Sequence, residues 1–205
     1  MKPNPYPGFF VVIEGLDGCG ASSQIEPVAE ALRIGNKEVT TTSEPTDNIL
    51  GGLLRGALTG VYRLPPASLQ LLFVADRLHH LDRLIEPVLK KGELVLCDRY
   101  FWSTIAYGSI DLDFNWLLEI NQYCLLPDLS IFLKVDPLTC FQQIKKSRFG
   151  LELFENRQKL DQVWRIYEKL ARKYPREIVF VDGERVSSEV KSNILKAIKH
   201  HPKFS

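Results

Sequence analysis

The stretch Phe9-Phe10-Val11-Val12-Ile13-Glu14-Gly15-Leu16-Asp17-Gly18-Cys19-Gly20-Ala21-Ser22-Ser23 decides the fold of this chain. Its first five residues form a continuous apolar run rich in aromatic and β-branched side chains, which is typical of a strand buried in a parallel sheet. A glycine-rich turn follows at 15–20, and residues 22–34 have a helical pattern that stops near Gly35. A buried strand, a glycine turn and a helix in this order predict the start of a βα unit.

Four later segments also have strand character, at residues 38–42, 94–97, 129–133 and 177–181. Helical patterns lie between and after them, at residues 48–58, 65–90, 160–173 and 187–200 and after Pro137. We expect Pro87 to kink or end the second of these helices, because proline cannot donate a backbone hydrogen bond. The alternation predicts an α/β fold, a doubly wound five-stranded parallel sheet flanked by helices, in a single domain over residues 1–205.

The composition is that of an ordinary globular protein, with 45% hydrophobic and 25% charged residues among 205. The formal net charge is only +1, so the chain has no general electrostatic attraction to nucleic acid or to an anionic membrane. No segment is long and apolar enough to cross a bilayer, and the proline-rich start has no signal-peptide pattern. We therefore expect no nucleic-acid or membrane partner, and any anion binding must be local.

The four cysteines are Cys19, Cys97, Cys124 and Cys140. They form no C-x-x-C pair and no cysteine–histidine cluster with zinc spacing. Reduced, partly buried thiols are the expected state, as in proteins of the reducing cytosol. The sequence therefore predicts a cytoplasmic location.

Residues 15–23 have the spacing of a phosphate-binding loop, G-x-x-x-x-G-K-S/T, placed between a strand and a helix as that motif requires. Its glycines let backbone N–H groups turn toward phosphate oxygens, and the helix N-terminus adds partial positive charge. Ser22 occupies the position whose hydroxyl ligates Mg²⁺, whereas Ala21 stands where the motif has its lysine. Glycine-rich turns also serve purely structural purposes, so both interpretations of the loop stay open. The candidate ATP-binding residues are Gly15, Asp17, Gly18, Cys19, Gly20, Ala21, Ser22 and Ser23.

Polar residues directly follow three of the predicted strands, at 14–23, 43–46 and 98–103. In a doubly wound parallel sheet, ligands bind at the carboxyl ends of the strands. We therefore expect these three segments to meet at one edge of the sheet and to form the functional site.

Six segments, in order along the chain, resemble the motifs of the thymidylate kinase family of P-loop nucleoside monophosphate kinases. They are I-E-G-L-D-G at 13–18, S-E-P-T at 43–46, G-L-L-R at 52–55, L-L-F-V-A-D-R at 71–77 with His80, D-R-Y-x-x-S-x-x-A-Y at 98–107 and P-D-L at 127–129. The fifth is fairly specific, and the resemblance extends from about Phe9 to Gly183. It implies transfer of the γ-phosphoryl group of ATP to dTMP, giving dTDP and ADP, with Mg²⁺ accompanying ATP and usually in a homodimer.

The resemblance implies that catalysis depends on two residues at the end of the third strand. Asp98 would hold Mg²⁺ through water, together with the hydroxyl of Ser22, or would orient the acceptor. Arg99 would contact the acceptor phosphate, for which a bidentate guanidinium is suited. A purely structural ion pair between Asp98 and Arg99 is the competing interpretation.

The resemblance also implies a pocket for the acceptor nucleotide. Phe73 would stack on the thymine ring, and Arg77, one helical turn later on the same face, would hydrogen-bond the base edge. Core packing of Phe73 and a solvated surface charge at Arg55 are the competing interpretations. The candidate substrate-binding residues are Asp17 near the sugar 3′-hydroxyl or the metal, Glu44 and Pro45 on one wall, Arg55 and Arg99 at the phosphate, Phe73 and Arg77 at the base, and Ser103 and Tyr107 along the pocket.

The charged segment at about 145–157 lies where the family has its lid. Family members without a P-loop arginine place lid arginines on ATP, which makes Arg148 a candidate catalytic residue and Arg157 a second candidate. Exposed charges at a helix end are the alternative interpretation of both. Lys145 or Lys146 could also swing in to replace the charge of the missing lysine.

Two further positions depart from the family pattern. Gly108 stands where the family usually has a polar residue after Tyr107, so one nucleotide contact would be absent. Lys134 stands where many members have aspartate, and we hypothesise that its charge partly offsets the missing lysine.

Ala21 leaves two other functions open. The chain could be a nucleotide-binding protein of the same fold whose catalysis is weakened or lost. It could also phosphorylate another deoxynucleoside monophosphate or a deoxynucleoside. The joint presence of Ser22, Phe73, Arg77 and the Asp98-Arg99 pair favours a dTMP kinase.

Overall fold

A computed structural model describes residues 1–147 and 157–204. Its strands are β1 (Lys2–Pro3), β2 (Phe9–Gly15), β3 (Val39–Ser43), β4 (Leu94–Asp98), β5 (Leu125–Leu126), β6 (Leu129–Lys134) and β7 (Ile178–Asp182). Its helices are α1 (Ala21–Ile34), α2 (Ile49–Leu58), α3 (Pro66–His80), α4 (Glu86–Lys90), α5 (Phe101–Gly108), α6 (Phe114–Ile120), α7 (Pro137–Ser147), α8 (Arg157–Lys173) and α9 (Ser187–Lys199).

The central sheet is built around β2, whose seven residues are all buried. Five strands lie in the order β3-β4-β2-β6-β7, and every neighbouring pair is parallel. Asp98 at the end of β4 lies opposite Ser43 of β3 on one side and Ile13 of β2 on the other. The register therefore brings the ends of these three strands to the same edge, as their polar continuations predicted.

Helices form two layers on this sheet. In one layer α1 packs against α9, and in the other α5 packs against both α3 and α8. From β2 the chain crosses to β3 at one edge of the sheet, and from β4 it crosses in the opposite direction to β6. Because both crossovers are right-handed, their opposite directions place the connecting helices on opposite faces of the sheet. The predicted doubly wound five-stranded parallel sheet is confirmed.

The long helix predicted at 65–90 is divided into α3 and α4 by a π-helical turn, Leu81–Ile85. The N–H of Glu86 bonds the carbonyl of Leu81, five residues back instead of four. Pro87 follows directly, and its ring has no N–H for the carbonyl four residues earlier. The wider π-helical turn accommodates the hydrogen bond that Pro87 cannot donate. The helix therefore does not end at Pro87 and continues to Lys90.

Three features escaped the sequence pattern: the short helices α5 and α6, and a two-stranded parallel sheet of β1 and β5. Helix α5 matters most, because it begins three residues after β4 ends and is buried apart from Ser103. Its eight residues include only two small polar side chains, the adjacent Ser103 and Thr104, which set no amphipathic period that would reveal a helix.

Most buried apolar side chains belong to one core on the two faces of the sheet. A second, small cluster of Leu54, Ala57 and Leu69 joins α2 to α3, and Phe73 packs partly against it. Within residues 1–147 and 157–204, no helix has the length and apolar character needed to cross a membrane. The four cysteines are free thiols and all are buried.

Candidate active site

The loop between β2 and α1 has the geometry of a phosphate cradle. Gly18 and Gly20 have φ angles of 80° and 86°, a region that favours glycine. A Cβ on Gly18 would lie 2.5 Å from the carbonyl oxygen of Cys140 in α7, so the loop also packs too closely for any larger residue. No side chain caps the N-terminus of α1, which leaves the N–H groups of its first turn to a ligand.

Arg99 joins this loop to β4 and α5. Its Nη2 lies 2.5 Å from Oδ1 of Asp17, while its Nη1 donates to the carbonyl oxygen of Gly15 at 3.1 Å and to Oγ of Ser103 at 3.0 Å. The Tyr107 hydroxyl accepts from the N–H of Asp17 at 2.8 Å, and its ring faces the guanidinium. Arg99 has a φ of 64°, an uncommon conformation for a residue with a side chain, which the surrounding contacts hold in place.

Glu14 lies fully buried behind the loop. One carboxylate oxygen accepts from the N–H of Tyr100 at 2.8 Å, and the other from the hydroxyls of Ser103 at 2.5 Å and Tyr167 at 3.1 Å. Burial raises the pKa of Glu14 to about 7, against the lowering effects of the Arg99 charge and these hydrogen bonds. Glu14 thereby fixes Ser103, which in turn accepts from Arg99.

Arg77 is buried in a set of internal hydrogen bonds. Its Nε donates to Oε2 of Glu44 at 2.8 Å, its Nη1 to Oδ1 of Asn121 at 2.7 Å and its Nη2 to Oγ1 of Thr104 at 2.8 Å. The Glu44 carboxylate raises the pKa of Arg77, although burial, the largest single effect, opposes this. Arg77 therefore stays charged and rigid while it lines the cavity.

The segment after β3 is anchored by the helix that carries Arg77. Asp76 accepts from the N–H and the hydroxyl of Thr46 at 2.9 and 2.6 Å. Nδ1 of His80 lies 3.2 Å from the second oxygen of Glu44. The D-R-x-x-H pattern of α3 thus holds the wall formed by Glu44 and Pro45, whose peptide bond is cis.

A cavity of about 450 Å³ opens at this edge of the sheet. Phe73 and Arg55 both line it; Arg55 also donates to the carbonyl oxygen of Thr46 at 2.7 Å and lies 3.3 Å from Asp47. All nine candidate substrate-binding residues line this one cavity: Asp17, Glu44, Pro45, Arg55, Phe73, Arg77, Arg99, Ser103 and Tyr107.

The candidate ATP residues form the loop itself. Gly18 and Ser22 line the cavity, and the Ser23 hydroxyl donates to the carbonyl oxygen of Gly20 at 2.7 Å. Gly15 ends β2, and Cys19 and Ala21 are buried, with Cys19 packed beside Gly15. Direct contact with ATP would therefore come from backbone N–H groups and from the hydroxyl of Ser22.

Oxygen donors suited to a hard cation lie at the same place. Oδ1 of Asp98 is buried without a hydrogen-bond partner, and the exposed Ser22 hydroxyl lines the same cavity. One carboxylate and one hydroxyl fit Mg²⁺, which takes its remaining ligands from substrate phosphates and water. Nowhere in the described part of the chain do three or more His, Cys, Asp or Glu side chains cluster to hold a metal by themselves.

Among the described residues, the cations considered as replacements for the P-loop lysine do not line the cavity: Lys134, Lys145, Lys146 and Arg157. Lys145 lies over the ring of Phe141 in α7. Lys134 lines a separate, predominantly acidic cavity at the ends of β6 and β7, where Asp136, Asp182 and Glu184 are its neighbours. Arg157 is exposed at the start of α8, and Arg148 lies outside the described residues, as does most of the lid segment at about 145–157.

Several residues of the site were not among the sequence candidates, and four of them are buried polar side chains. Gln70 and Thr104 line the cavity, and Glu14 and Tyr167 support Arg99 through Ser103. Gln70 lies three residues before Phe73 on the same helical face, which is the one local signal that could have indicated it. Tyr167, more than a hundred residues from Glu14, has none.

A phosphate loop at the end of the central strand, beside an arginine from the adjoining strand and a cavity lined by Phe73 and Arg77, defines a kinase of the P-loop nucleoside monophosphate class. The family model described as thymidylate kinase matches residues 13–194. The chain belongs to the thymidylate kinase family.

Relatives from distant organisms agree with this assignment. A probable thymidylate kinase of Pyrococcus horikoshii is 36% identical, over 94% of this chain and 97% of that protein. A thymidylate kinase of Desulfotalea psychrophila is 35% identical, over 84% of this chain and 86% of that protein. The solved structure of a thymidylate kinase from Candida albicans superposes with a TM-score of 0.82 at 25% identity, covering 97% of this chain and 94% of that one.

Proposed function

We propose that this chain transfers the γ-phosphoryl group of ATP to dTMP, producing dTDP and ADP. The observation that carries the proposal is the position of Arg99, which contacts the phosphate loop through Asp17 and Gly15 while it lines the cavity that holds Phe73 and Arg77. A guanidinium between a phosphate cradle and a nucleotide-sized cavity is placed to contact an acceptor phosphate.

The acceptor nucleotide occupies the cavity in one orientation. We place its phosphate beside Arg99 and Arg55 and its base beside Phe73 and Arg77, because all four side chains line the cavity and the two arginines carry the charge that a phosphate needs. Arg77 cannot turn away, because three internal acceptors hold its guanidinium. Binding therefore aligns the acceptor nucleotide with the phosphate donor, and this alignment is what phosphoryl transfer requires most.

The donor side belongs to the loop at 15–23. Backbone N–H groups at the start of α1 bind the phosphates of ATP, and Ser22 and Asp98 hold Mg²⁺, which supplies charge neutralisation for the phosphates when bound. We further propose that residues 1–205 act as one kinase domain, in which Arg148 of the lid segment at about 145–157 contacts the transferred group. The cation lost at Ala21 is replaced, at least in part, by Arg99 and by that lid arginine.

The proposed assembly is a homodimer. Four large apolar side chains on α2 and α3 are exposed: Ile49 (83%), Leu53 (45%), Leu71 (50%) and Leu78 (37%). Exposed apolar side chains grouped on two packed helices favour a partner surface. Light scattering of the purified chain gives the mass directly, and Leu71→Glu is expected to yield monomers. The proposed location is the cytoplasm, which suits four unpaired thiols.

The test is a coupled ADP-release assay of the full chain with ATP and Mg²⁺, offered dTMP, dUMP, dCMP or dGMP in parallel. We expect turnover with dTMP and a much lower kcat/KM with dCMP and dGMP. Turnover with a different monophosphate would transfer the proposal to that substrate.

A protein that binds nucleotides without catalysis is the second candidate, and Ala21 is the observation that favours it. Its signature would be tight binding of ATP and dTMP by calorimetry, with no ADP release above the rate measured without enzyme. That result would overturn the kinase proposal.

A further inference from the structure

Gln70 is a buried residue of the cavity to which the motifs assign no role. Its side chain is only 3% exposed, it lines the cavity, and its Oε1 has no hydrogen-bond partner. It lies three and seven residues before Phe73 and Arg77 in α3, so the three side chains share one helical face. A buried amide oxygen without a partner is unfavourable, which makes a ligand the natural partner for it.

We propose that Gln70 is a specificity-determining residue that accepts a hydrogen bond from the imide N–H of the acceptor base. The inference rests on the proposed function, because it needs the base to lie beside Phe73 and Arg77. It deepens that function by identifying a group that distinguishes an imide base, such as thymine, from an amino-substituted pyrimidine.

The groups around the base differ in hydrogen-bonding character. Arg77 has only donors, and Thr104 already accepts from Arg77, which leaves the Thr104 hydroxyl hydrogen free to donate. Donors suit the carbonyl oxygens of an imide, and the acceptor of Gln70 suits the N–H between them. A cytosine presents an acceptor at that ring nitrogen and an amino group beside it, so it mismatches both kinds of group.

The room for Gln70 is provided by Gly108 at the end of α5. A Cβ on Gly108 would lie 3.1 Å from Cδ of Gln70 and 2.9 Å from Cδ2 of Leu117. A side chain at 108 would therefore push against the Gln70 amide. From the sequence we expected Gly108 to leave one polar contact absent, whereas here it makes space for a contact supplied from α3.

The test measures binding by calorimetry on the full chain without ATP, so it does not depend on turnover. The probes are dTMP, its N3-methyl derivative, which lacks the imide hydrogen, and dCMP. Gln70→Leu removes the acceptor with little change in size. Gln24→Leu is the matched control, since Gln24 is equally buried, has an unpartnered Oε1 and lies in α1 on the other helical layer.

We expect Gln70→Leu to weaken dTMP binding about tenfold and to reduce the preference for dTMP over dCMP by a similar factor, the usual effect of losing one hydrogen bond to a buried group. The preference for dTMP over its N3-methyl derivative should fall as well. Gln24→Leu should leave all three ratios unchanged. If Gln70 had a purely structural role, Gln70→Leu would weaken the binding of all three ligands by the same factor. Unchanged binding preferences among the three would therefore overturn the role of Gln70 but not the proposed function. Failure of the unmodified chain to bind any of the three would instead sink the proposed function.

A second variant protects the test against misfolding of Gln70→Leu. Gly108→Ala should weaken dTMP binding in the unmodified chain but much less in a Gln70→Ala background, where the crowded amide is absent. Additive effects of the two substitutions would contradict the proposed coupling.

Discussion

Nη2 of Arg99 lies 2.5 Å from Oδ1 of Asp17, and Nη1 of the same guanidinium reaches the carbonyl oxygen of Gly15 at 3.1 Å. One side chain, directly after β4, thus contacts two residues in the first part of the phosphate loop. Because β4 and β2 are neighbouring parallel strands, this contact depends on the sheet and on no local sequence feature. Substitution of Arg99 should therefore disturb the phosphate loop as well as the cavity.

Arg99→Lys should lower kcat/KM for dTMP by about 10²–10³, which is the usual cost of losing one aligned donor in a phosphoryl-transfer site. Lysine keeps the charge but has no planar fork to contact Asp17, Ser103 and a phosphate together. The measurement is the coupled assay, with Arg185→Lys as a control on an exposed ion pair outside the cavity. Unimpaired catalysis in Arg99→Lys would show that only the charge matters.

Ala21→Lys should raise kcat about tenfold or more, because it restores a mobile positive charge at the N-terminus of α1. Ala21→Met gives a chain of similar length without charge and should bring no gain. Both variants need a thermal melt, since Ala21 is only 4% exposed. If lysine and methionine behave alike, another group already supplies the missing charge, and the kinase proposal stands without it.

Asp98→Asn should raise the Mg²⁺ concentration needed for half-maximal activity and lower kcat by about 10² at saturating Mg²⁺. The reason is the unpartnered Oδ1 of Asp98, whose negative charge would be lost. Ser22→Ala should shift the Mg²⁺ requirement less, because a hydroxyl is a weaker ligand. An unchanged Mg²⁺ titration for Asp98→Asn would leave the orientation of the acceptor as its role.

Glu14 should make stability depend on pH. Its pKa is about 7 in the folded protein against 4.5 as the ordinary value. The folded state therefore binds this proton more tightly, so the contribution of Glu14 to stability is fully present below about pH 4.5 and is lost as pH rises through 7, by on the order of 3 kcal/mol in total. Urea unfolding from about pH 5 to about pH 8 measures this.

Glu14→Gln should flatten that slope, because its amide does not titrate. Its nitrogen can still donate to the hydroxyls of Ser103 and Tyr167, which turn to accept. A slope as steep as that of the unmodified chain would place the titrating group elsewhere.

Arg77→Met should cost about 3–5 kcal/mol of unfolding free energy, because it leaves the Glu44 carboxylate buried without its partner. The double variant Arg77→Met with Glu44→Gln should recover much of this loss. Arg33→Met, which breaks the exposed pair with Glu26, should cost no more than about 1 kcal/mol. Equal losses in the buried and exposed variants would contradict the role of desolvation. Chemical denaturation measures all three.

The features that the sequence predicted correctly are those that depend on residues close together in the chain. The apolar run at 9–13 predicts β2, and the glycines at 15, 18 and 20 predict the loop after it. The five strands and the class of fold follow from the same kind of local pattern. The spacing of Phe73 and Arg77 on one helix predicts a shared pocket, and both line a single cavity, while their roles at the base stay a prediction.

Other features depend on segments far apart in the chain. The internal acceptors of Arg77 come from the segment after β3, from α5 and from the residue after α6, so the sequence could indicate its position but not its full set of bonds. Lys134, expected near the phosphates, faces carboxylates in a different cavity. The direction of a strand-end side chain depends on the packing around it, which no local pattern records.

By itself the sequence determined the five strands of the central sheet, most of the longer helices, the position of the glycine-rich loop and the family of the chain, because burial and turn geometry are encoded within a few residues. Only the tertiary structure decided the strand order, the raised pKa of Glu14 and the meeting of Gln70 with Gly108. These arise from contacts between segments brought together by the sheet. Their free energies depend on the desolvation and packing of the whole neighbourhood and not on the residues taken one at a time.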